Sequence, residues 1–346
     1  MIRLALVLAA AVAVARAAAT AAQPASRPVT PRVYLGAADA SAAVRLGDAS
    51  ILVADDEDNV LRLYDVEQGG MPRATLDLST FLGLDRNDEA DIEAAVRVGG
   101  RVYWITSHGP NRKGKLLENR QRFFAITVAR ESGDPVLRPF GRPCSGLLPA
   151  LRRALEGVSP ADGQADLNIE ALASGPDERT LWIGLRAPLG APDGAAHAIV
   201  VPLGNASAVV ERGDAPELGQ PILWDLGGRA LRDMFWSASR RQLLVLAGAE
   251  DRTDGWGLYR WSGTSGDPPQ ALSAEWPTPR DFQPEALVER EAGGRLLVLS
   301  DDGDRPVAVR GPDECTRGNY QPDGTCPNKR LKDASRKSFR GFELSP

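Results

Sequence analysis

The sequence predicts an all-β protein, a β-propeller of about five four-stranded antiparallel blades around a central channel. Three observations predict it. First, five apolar runs superimpose: Ser50-Ile51-Leu52-Val53-Ala54-Asp55, Arg101-Val102-Tyr103-Trp104-Ile105-Thr106-Ser107, Leu181-Trp182-Ile183-Gly184-Leu185-Arg186, Gln242-Leu243-Leu244-Val245-Leu246-Ala247 and Arg295-Leu296-Leu297-Val298-Leu299-Ser300. Each is bounded by turn residues and lacks a helical period, so each reads as a strand buried on both faces. Second, a short strand with an x-x-Glu-Ala core precedes three of these runs at a near-constant spacing: Asp91-Ile92-Glu93-Ala94, Asn168-Ile169-Glu170-Ala171 and Gln283-Pro284-Glu285-Ala286. Third, a polar loop and a further strand follow every run. A two-sheet sandwich would account for the strands but not for the recurring Glu-turn-strand unit.

Taken in chain order, the N-terminus comes first. Met1-Ile2-Arg3 supplies a positive start, residues 4–14 an apolar stretch, and Ala17-Ala18-Ala19-Thr20-Ala21-Ala22 a small-residue run. That is the pattern of a secretory signal peptide over residues 1–22, cleaved near Ala22. The apolar run is broken at Arg16 and falls short of the about 20 residues needed to span a bilayer. We therefore expect an exported chain, periplasmic or secreted, monomeric and without membrane attachment after cleavage. Residues 23–346 form one propeller domain, since no linker interrupts the composition.

The strand at residues 32–35 is expected to complete the last blade or close the ring. Counting back from the first and fourth apolar runs at the spacing of the other three gives Asp39 and Arg232 as the counterparts of the recurring Glu. Third strands are expected at 60–66, 123–128, 198–201, 256–261 and 305–309, and fourth strands at 74–78, 136–140, 208–211 and 339–344. Two insertions stand out, at about residues 141–165 and 311–336. Residues 145–156 read as a helix, because Leu147, Leu148, Leu151 and Leu155 share one face. A sixth, degenerate blade within 147–164 is the alternative. In an oxidising compartment Cys315 and Cys326 are expected to pair across a polar loop, leaving Cys144 as a buried thiol.

Composition narrows the function classes. The chain has 346 residues, 43% of them hydrophobic, and a net charge of -5, which makes it no electrostatic match for nucleic acid.

The phrases Asp91-Ile92-Glu93-Ala94 to Ser107-His108, Asn168-Ile169-Glu170-Ala171-Leu172-Ala173 with Leu181 to Leu189, Leu226-Gly227-Gly228-Arg229-Ala230-Leu231-Arg232 and Leu258-Tyr259-Arg260-Trp261 occur in a distinctive order. Together they resemble a bacterial family designated domain of unknown function 3616, from about Val53 to Ser300. The resemblance implies a propeller-like fold and no established activity. A more distant likeness to phytase-like and esterase-like exported propellers rests on fold analogy.

In a propeller the first strand of each blade lines the channel, so the repeat gathers Asp39, Glu93, Glu170, Arg232 and Glu285 around one opening. Asp91 and Asn168 lie two residues before their Glu and share its strand face. Carboxylates packed in one concavity repel each other and need a cation, a proton or an arginine. Glu93, Glu170 and Glu285 are the candidate ligands of a hard ion such as Ca²⁺ or Mg²⁺, with Arg232 as the competing internal counter-charge. The alternative is a wet channel whose Glu–Arg pairs only lock neighbouring blades.

A loop crowded with cations, Ser107-His108-Gly109-Pro110-Asn111-Arg112-Lys113-Gly114-Lys115, follows a buried strand. Arg112 and Lys113, with Arg186 at the same place in the next blade, are candidates to grip a small anion. Ser107 and His108 border the same mouth. They form no dyad, because adjacent residues of an extended chain point to opposite faces. The acidic turns at residues 55–59 and 301–304 could hold Ca²⁺ but lack the spacing of a helix-loop-helix calcium site.

Two functions follow. One is a binding module for a small anionic molecule, a divalent cation or a partner protein. The other is a metal-dependent hydrolase of phosphate esters, in which the carboxylates hold the ion and Arg112, Lys113 or Arg186 the phosphate.

Overall fold

All five apolar runs become the second strand of a blade. A computed structural model describes residues 30–345 apart from 86–87, 132–133, 162–165, 250–254, 275, 277–278, 280 and 291–293. The expected signal peptide lies outside the described residues. Blade 1 comprises Ala42–Arg45, Ser50–Ala54, Val60–Asp65 and Ala74–Asp77. Blade 2 follows with Ile92–Val98, Arg101–Thr106, Phe123–Glu131 and Asp134–Cys144. Asn168–Ser174, Leu181–Gly190, His197–Leu203 and Ile222–Trp224 make blade 3. Blade 4 is built from Ala230–Ser237, Gln242–Gly248, Gly257–Trp261 and Gln270–Leu272. Blade 5 combines Pro284–Glu289, Leu296–Ser300 and Ser338–Leu344 with the N-terminal strand Arg32–Leu35.

Every blade is an antiparallel meander whose first strand lies innermost and packs on the first strands of both neighbours. The ring closes by pairing the first described strand with the last, Val33 opposite Arg340 and Leu35 opposite Ser338. Tyr34 stacks on Phe339 at 4.9 Å across that seam. Such closure ties both ends of the described chain into one blade, whose short outer edge is Arg32–Leu35.

The core is divided the same way. Five apolar clusters fill the five spaces between adjacent blades. This is why the second strands carry apolar residues on both faces: each face meets a different neighbour. The spaces are tight. A Cβ on Gly184 would sit 2.8 Å from Ala171 and from Leu231 of the next blade.

Several expected elements differ. The third strand of blade 5 is Ser338–Leu344, not residues 305–309, because Phe339, Phe342 and Leu344 carry the apolar surface that the inter-blade space requires. Residues 208–211 lie in a helix, Ala206–Arg212, ended by Gly213 at φ 79°. There Ala206, Val209 and Val210 recur at helical spacing, and the fourth strand falls to Ile222–Trp224. Residues 147–154 form the expected helix, with Leu147, Leu148 and Leu151 buried, so the count is five blades. Cys144 is half-buried rather than buried.

The second insertion leaves blade 5 after its second strand. Pro306–Ala308 pairs with Thr325–Pro327, and the Cys315–Cys326 disulfide closes the loop between them. Both sulfurs pack with Leu331 in a small core of their own. Asn328, fully buried, ties the insertion to the ring: its amide donates to Asp302 O (3.0 Å) and Ser338 O (2.6 Å) and accepts from Ser338 N (3.1 Å). Among the described residues no helix is long and apolar enough to cross a membrane.

Candidate functional site

The recurring acid has a structural cause. In blades 2 to 5 the pairing of first and second strands slips at Glu93, Glu170, Arg232 or Glu285, and blade 3 slips a second time between Asn168 and Ile169. Each is the extra residue of a β-bulge, left out of the ladder and free to turn its side chain toward the axis. Blade 1 has no such slip. Its counterpart, Asp39, lies just before the strand, in an isolated bridge to Asp301 of blade 5. The bulges place the four side chains at one end of the channel, where the first strands begin.

That end has two unlike halves. On the side of blades 3 to 5, Arg232 is buried between two carboxylates, with Nη1 2.8 Å from Glu170 Oε2 and 3.6 Å from Glu285 Oε1. Its other terminal nitrogen donates to Ala249 O at 3.0 Å, and its guanidinium lies 5.7 Å from the centre of the Trp256 ring. Arg186 is a second partner of Glu170. Asn168, two residues before Glu170, turns its amide toward the same carboxylate at 3.5 Å.

On the side of blades 1 and 2, carboxylates meet without that compensation. One oxygen from each of Asp56, Asp91 and Glu93 lies within 4.8 Å of the others. Asp91 is held by Arg120 at 2.9 Å, a side chain shared with Glu89. Glu93 has no hydrogen-bond or ion-pair partner among the described residues, and Asp56 Oδ1 is buried without one. Asp39, 6% exposed, likewise buries an unpartnered Oδ1.

The electrostatics follow. Desolvation, then repulsion from Asp91, Glu170, Asp56 and Glu285, holds the Glu93 carboxyl well above the usual range. Burial does the same to Asp39 and Asp56, reinforced respectively by Asp301 and by Asp55. Burial also raises Asp91 to about 6, against the opposing pull of Arg120 and a hydrogen bond from Ser107. Asp91 is moreover one of few non-glycine residues in the left-handed region, at φ 61°. Backbone strain of this kind persists where the surroundings fix a side chain in place.

A cleft of ≈ 340 Å³ opens beside this triad. Asp56 and Asp91 lie on it with Glu57 and Glu89, and the cations Arg112, Lys113, Arg120 and Arg330 line it too. Arg112 and Lys113 are exposed. Arg330 belongs to the disulfide-closed insertion, and with Lys329 it reaches Glu57, at 3.2 and 3.3 Å.

The structure thus brings together Asp91, Glu93, Asn168, Glu170, Arg186, Arg232 and Glu285, with Arg112 and Lys113 on the adjoining cleft. Ser107 serves Asp91 and accepts the Gly109 amide at 3.2 Å. His108 does not join the site. Its ring is fully buried, with Nδ1 2.8 Å from Thr106 O, and burial lowers its pKa to about 4.

Of the two acidic turns, Asp302 is spent on Arg340 (2.6 Å) and Asp58 on Arg62, while Asp56 and Asp301 belong to the mouth. Sequence reasoning placed Asp56 in a turn without linking it to Glu93. The signal was the equivalence of that turn with the loop after the second strand of blade 2. Arg330 had no such signal, because nothing in the repeat aligns with the insertion.

No protein-family model matches the chain, and no curated protein matches it in sequence. Among solved structures it is similar over most of its length to a glutaminyl cyclase from Myxococcus xanthus, at 11% identity and TM-score 0.45, over 92% of this chain and 98% of that one. It is also similar to the PQQ-bound aldose sugar dehydrogenase from Streptomyces coelicolor, at 14% identity and TM-score 0.39, over 92% and 99%. A third is the β-propeller domain of Cps50 (Swd1) from Myceliophteria thermophila, at 10% identity and TM-score 0.34, over 78% and 96%. Likenesses of this order carry no argument about activity, and the five-bladed fold stands on the strand pairing itself.

Proposed function

We propose that this chain is an exported propeller, akin to domain of unknown function 3616, that binds a divalent cation, Ca²⁺ or Mg²⁺, at its axial mouth through Asp56, Asp91 and Glu93. One observation carries the reading. Three carboxylate oxygens lie within 4.8 Å of one another, the span of ligands around one hard cation, and two of the three residues have no cationic partner among the described residues. An all-oxygen donor set selects Ca²⁺ or Mg²⁺ over softer metals. Arg232 and Arg186 already supply the counter-charge of Glu170 and Glu285, so the cation falls to Asp56 and Asp91 beside Glu93. The Cys315–Cys326 bond suits an oxidising compartment, in keeping with the N-terminal pattern.

The test is thermal unfolding of metal-free protein with and without each ion. At about 100 times its Kd, a ligand specific to the folded state adds about 2.7 kcal/mol. The expected result is a Tm rise of several degrees that EDTA reverses and that is absent in Glu93→Gln. An unchanged Tm with both ions at millimolar concentration overturns the reading.

A further inference from the structure

We propose that the disulfide-closed insertion is the anion-recognising wall of the mouth, and that the cleft beside the cation takes a small dianionic oxyanion through Arg330 together with Arg112 and Lys113. The inference rests on the cation reading for its charge balance and goes beyond it in naming a ligand class and a residue from outside the repeat.

Charge is the first argument. The cleft is lined by four carboxylates and four cationic side chains, so its formal charges cancel. Glu93, the third ligand of the proposed cation, adds a fifth carboxylate, so a bound divalent cation leaves one positive charge in excess. An anion offsets that excess, and two of the cations, Arg112 and Lys113, have no ion-pair partner among the described residues to release, which matches the two charges of a dianion. The volume, ≈ 340 Å³, suits a small molecule rather than a chain segment.

Construction is the second. Arg330 is presented by a segment with its own core of Cys315, Cys326 and Leu331, anchored to the ring by the buried Asn328 amide. Lys329, from the neighbouring position, pairs with Asp304 (3.0 Å) as well as Glu57. The guanidinium therefore arrives at the cleft from a covalently closed, multiply bonded support, and a planar two-pronged donor held in place is what oxyanion recognition needs. The Glu57 carboxylate, which Arg330 contacts, opposes a bound anion and sets a threshold that the cation must lower.

The experiment is calorimetric titration of inorganic phosphate, sulfate, malonate and acetate into protein saturated with Ca²⁺. We expect the dianions to bind and acetate to bind about tenfold more weakly or worse. Phosphate against malonate distinguishes a phosphorus oxyanion from a dicarboxylate. Arg330→Gln is expected to weaken dianion binding about tenfold while leaving Ca²⁺ affinity within about twofold. The paired change Cys315→Ser and Cys326→Ser is expected to act in the same direction. If the cysteine variant does not fold, Arg330→Gln decides alone. Ca²⁺ binding with no dianion binding, or dianion binding indifferent to Arg330→Gln, overturns this inference and leaves the cation reading intact. Arg330-dependent dianion binding to protein that takes no Ca²⁺ overturns the cation reading instead.

Discussion

The two halves of the channel mouth are built by the same device and left in opposite electrical states. In both, a β-bulge on an innermost strand turns a polar side chain to the axis. On one side Arg232 lies between Glu170 and Glu285, and the cluster is internally paired. On the other, Glu93 meets Asp56 and Asp91, and every added carboxylate raises the cost of ionising the last. The difference teaches where to look for a ligand. A buried pair that supplies its own counter-ion is a structural joint between blades, whereas a carboxylate set whose one arginine, Arg120, is shared with Glu89 has charge left over for a ligand to meet.

The strongest way to break this comparison is to remove the internal counter-ion. Arg232→Met leaves Glu170 and Glu285 without their shared partner and should cost about 3–5 kcal/mol in denaturant unfolding. A loss below about 1 kcal/mol would show the paired half to be no joint at all. Next come the neutralising changes, which should differ in sign between the halves. Glu170→Gln removes the charge that Arg232 and Arg186 share and should destabilise by about 2 kcal/mol. Glu93→Gln removes repulsion and should stabilise the metal-free protein by about 1 kcal/mol.

A pH series sharpens the second result. The folded carboxyls of Glu93, Asp39 and Asp56 are raised above their unfolded values, and Asp91 to about 6. Their destabilising effect is therefore full above the folded pKa and vanishes as pH falls to the unfolded one, near 4. The advantage of Glu93→Gln over wild type should accordingly shrink on acidification from pH 7 to pH 4. His108 works the other way. Its pKa is lowered to about 4, so its contribution is present above about 6.5 and is lost as pH falls toward 4. It is common to both proteins and cancels in the difference. A gap between the two proteins that stays constant across this range would contradict the placement of charge on Glu93.

Much of this was legible in the sequence, and the exceptions have physical reasons. The five buried strands, the recurring Glu and the closing strand at Arg32–Leu35 all follow from patterning, because each inter-blade space demands the same apolar run. The bulges were not legible as such, although the near-constant position of Glu93, Glu170 and Glu285 was their trace. Residues 305–309 misled because a strand-like run there pairs within the insertion, as Pro306–Ala308 with Thr325–Pro327, and not with the blade. The Asp56 connection needed three dimensions: it joins Glu93 from the neighbouring blade. Arg330 was hidden for a different reason, since a segment outside the repeat has no counterpart against which to read it.

Everything functional here depends on the unpaired half being a cation site. The direct measurement is calorimetric titration of Ca²⁺ and Mg²⁺ into metal-free wild type, Glu93→Gln and Glu285→Gln. Saturable binding of at least one ion to wild type, retained in Glu285→Gln and lost in Glu93→Gln, is the predicted result. No binding to wild type, or equal binding to both variants, would contradict it.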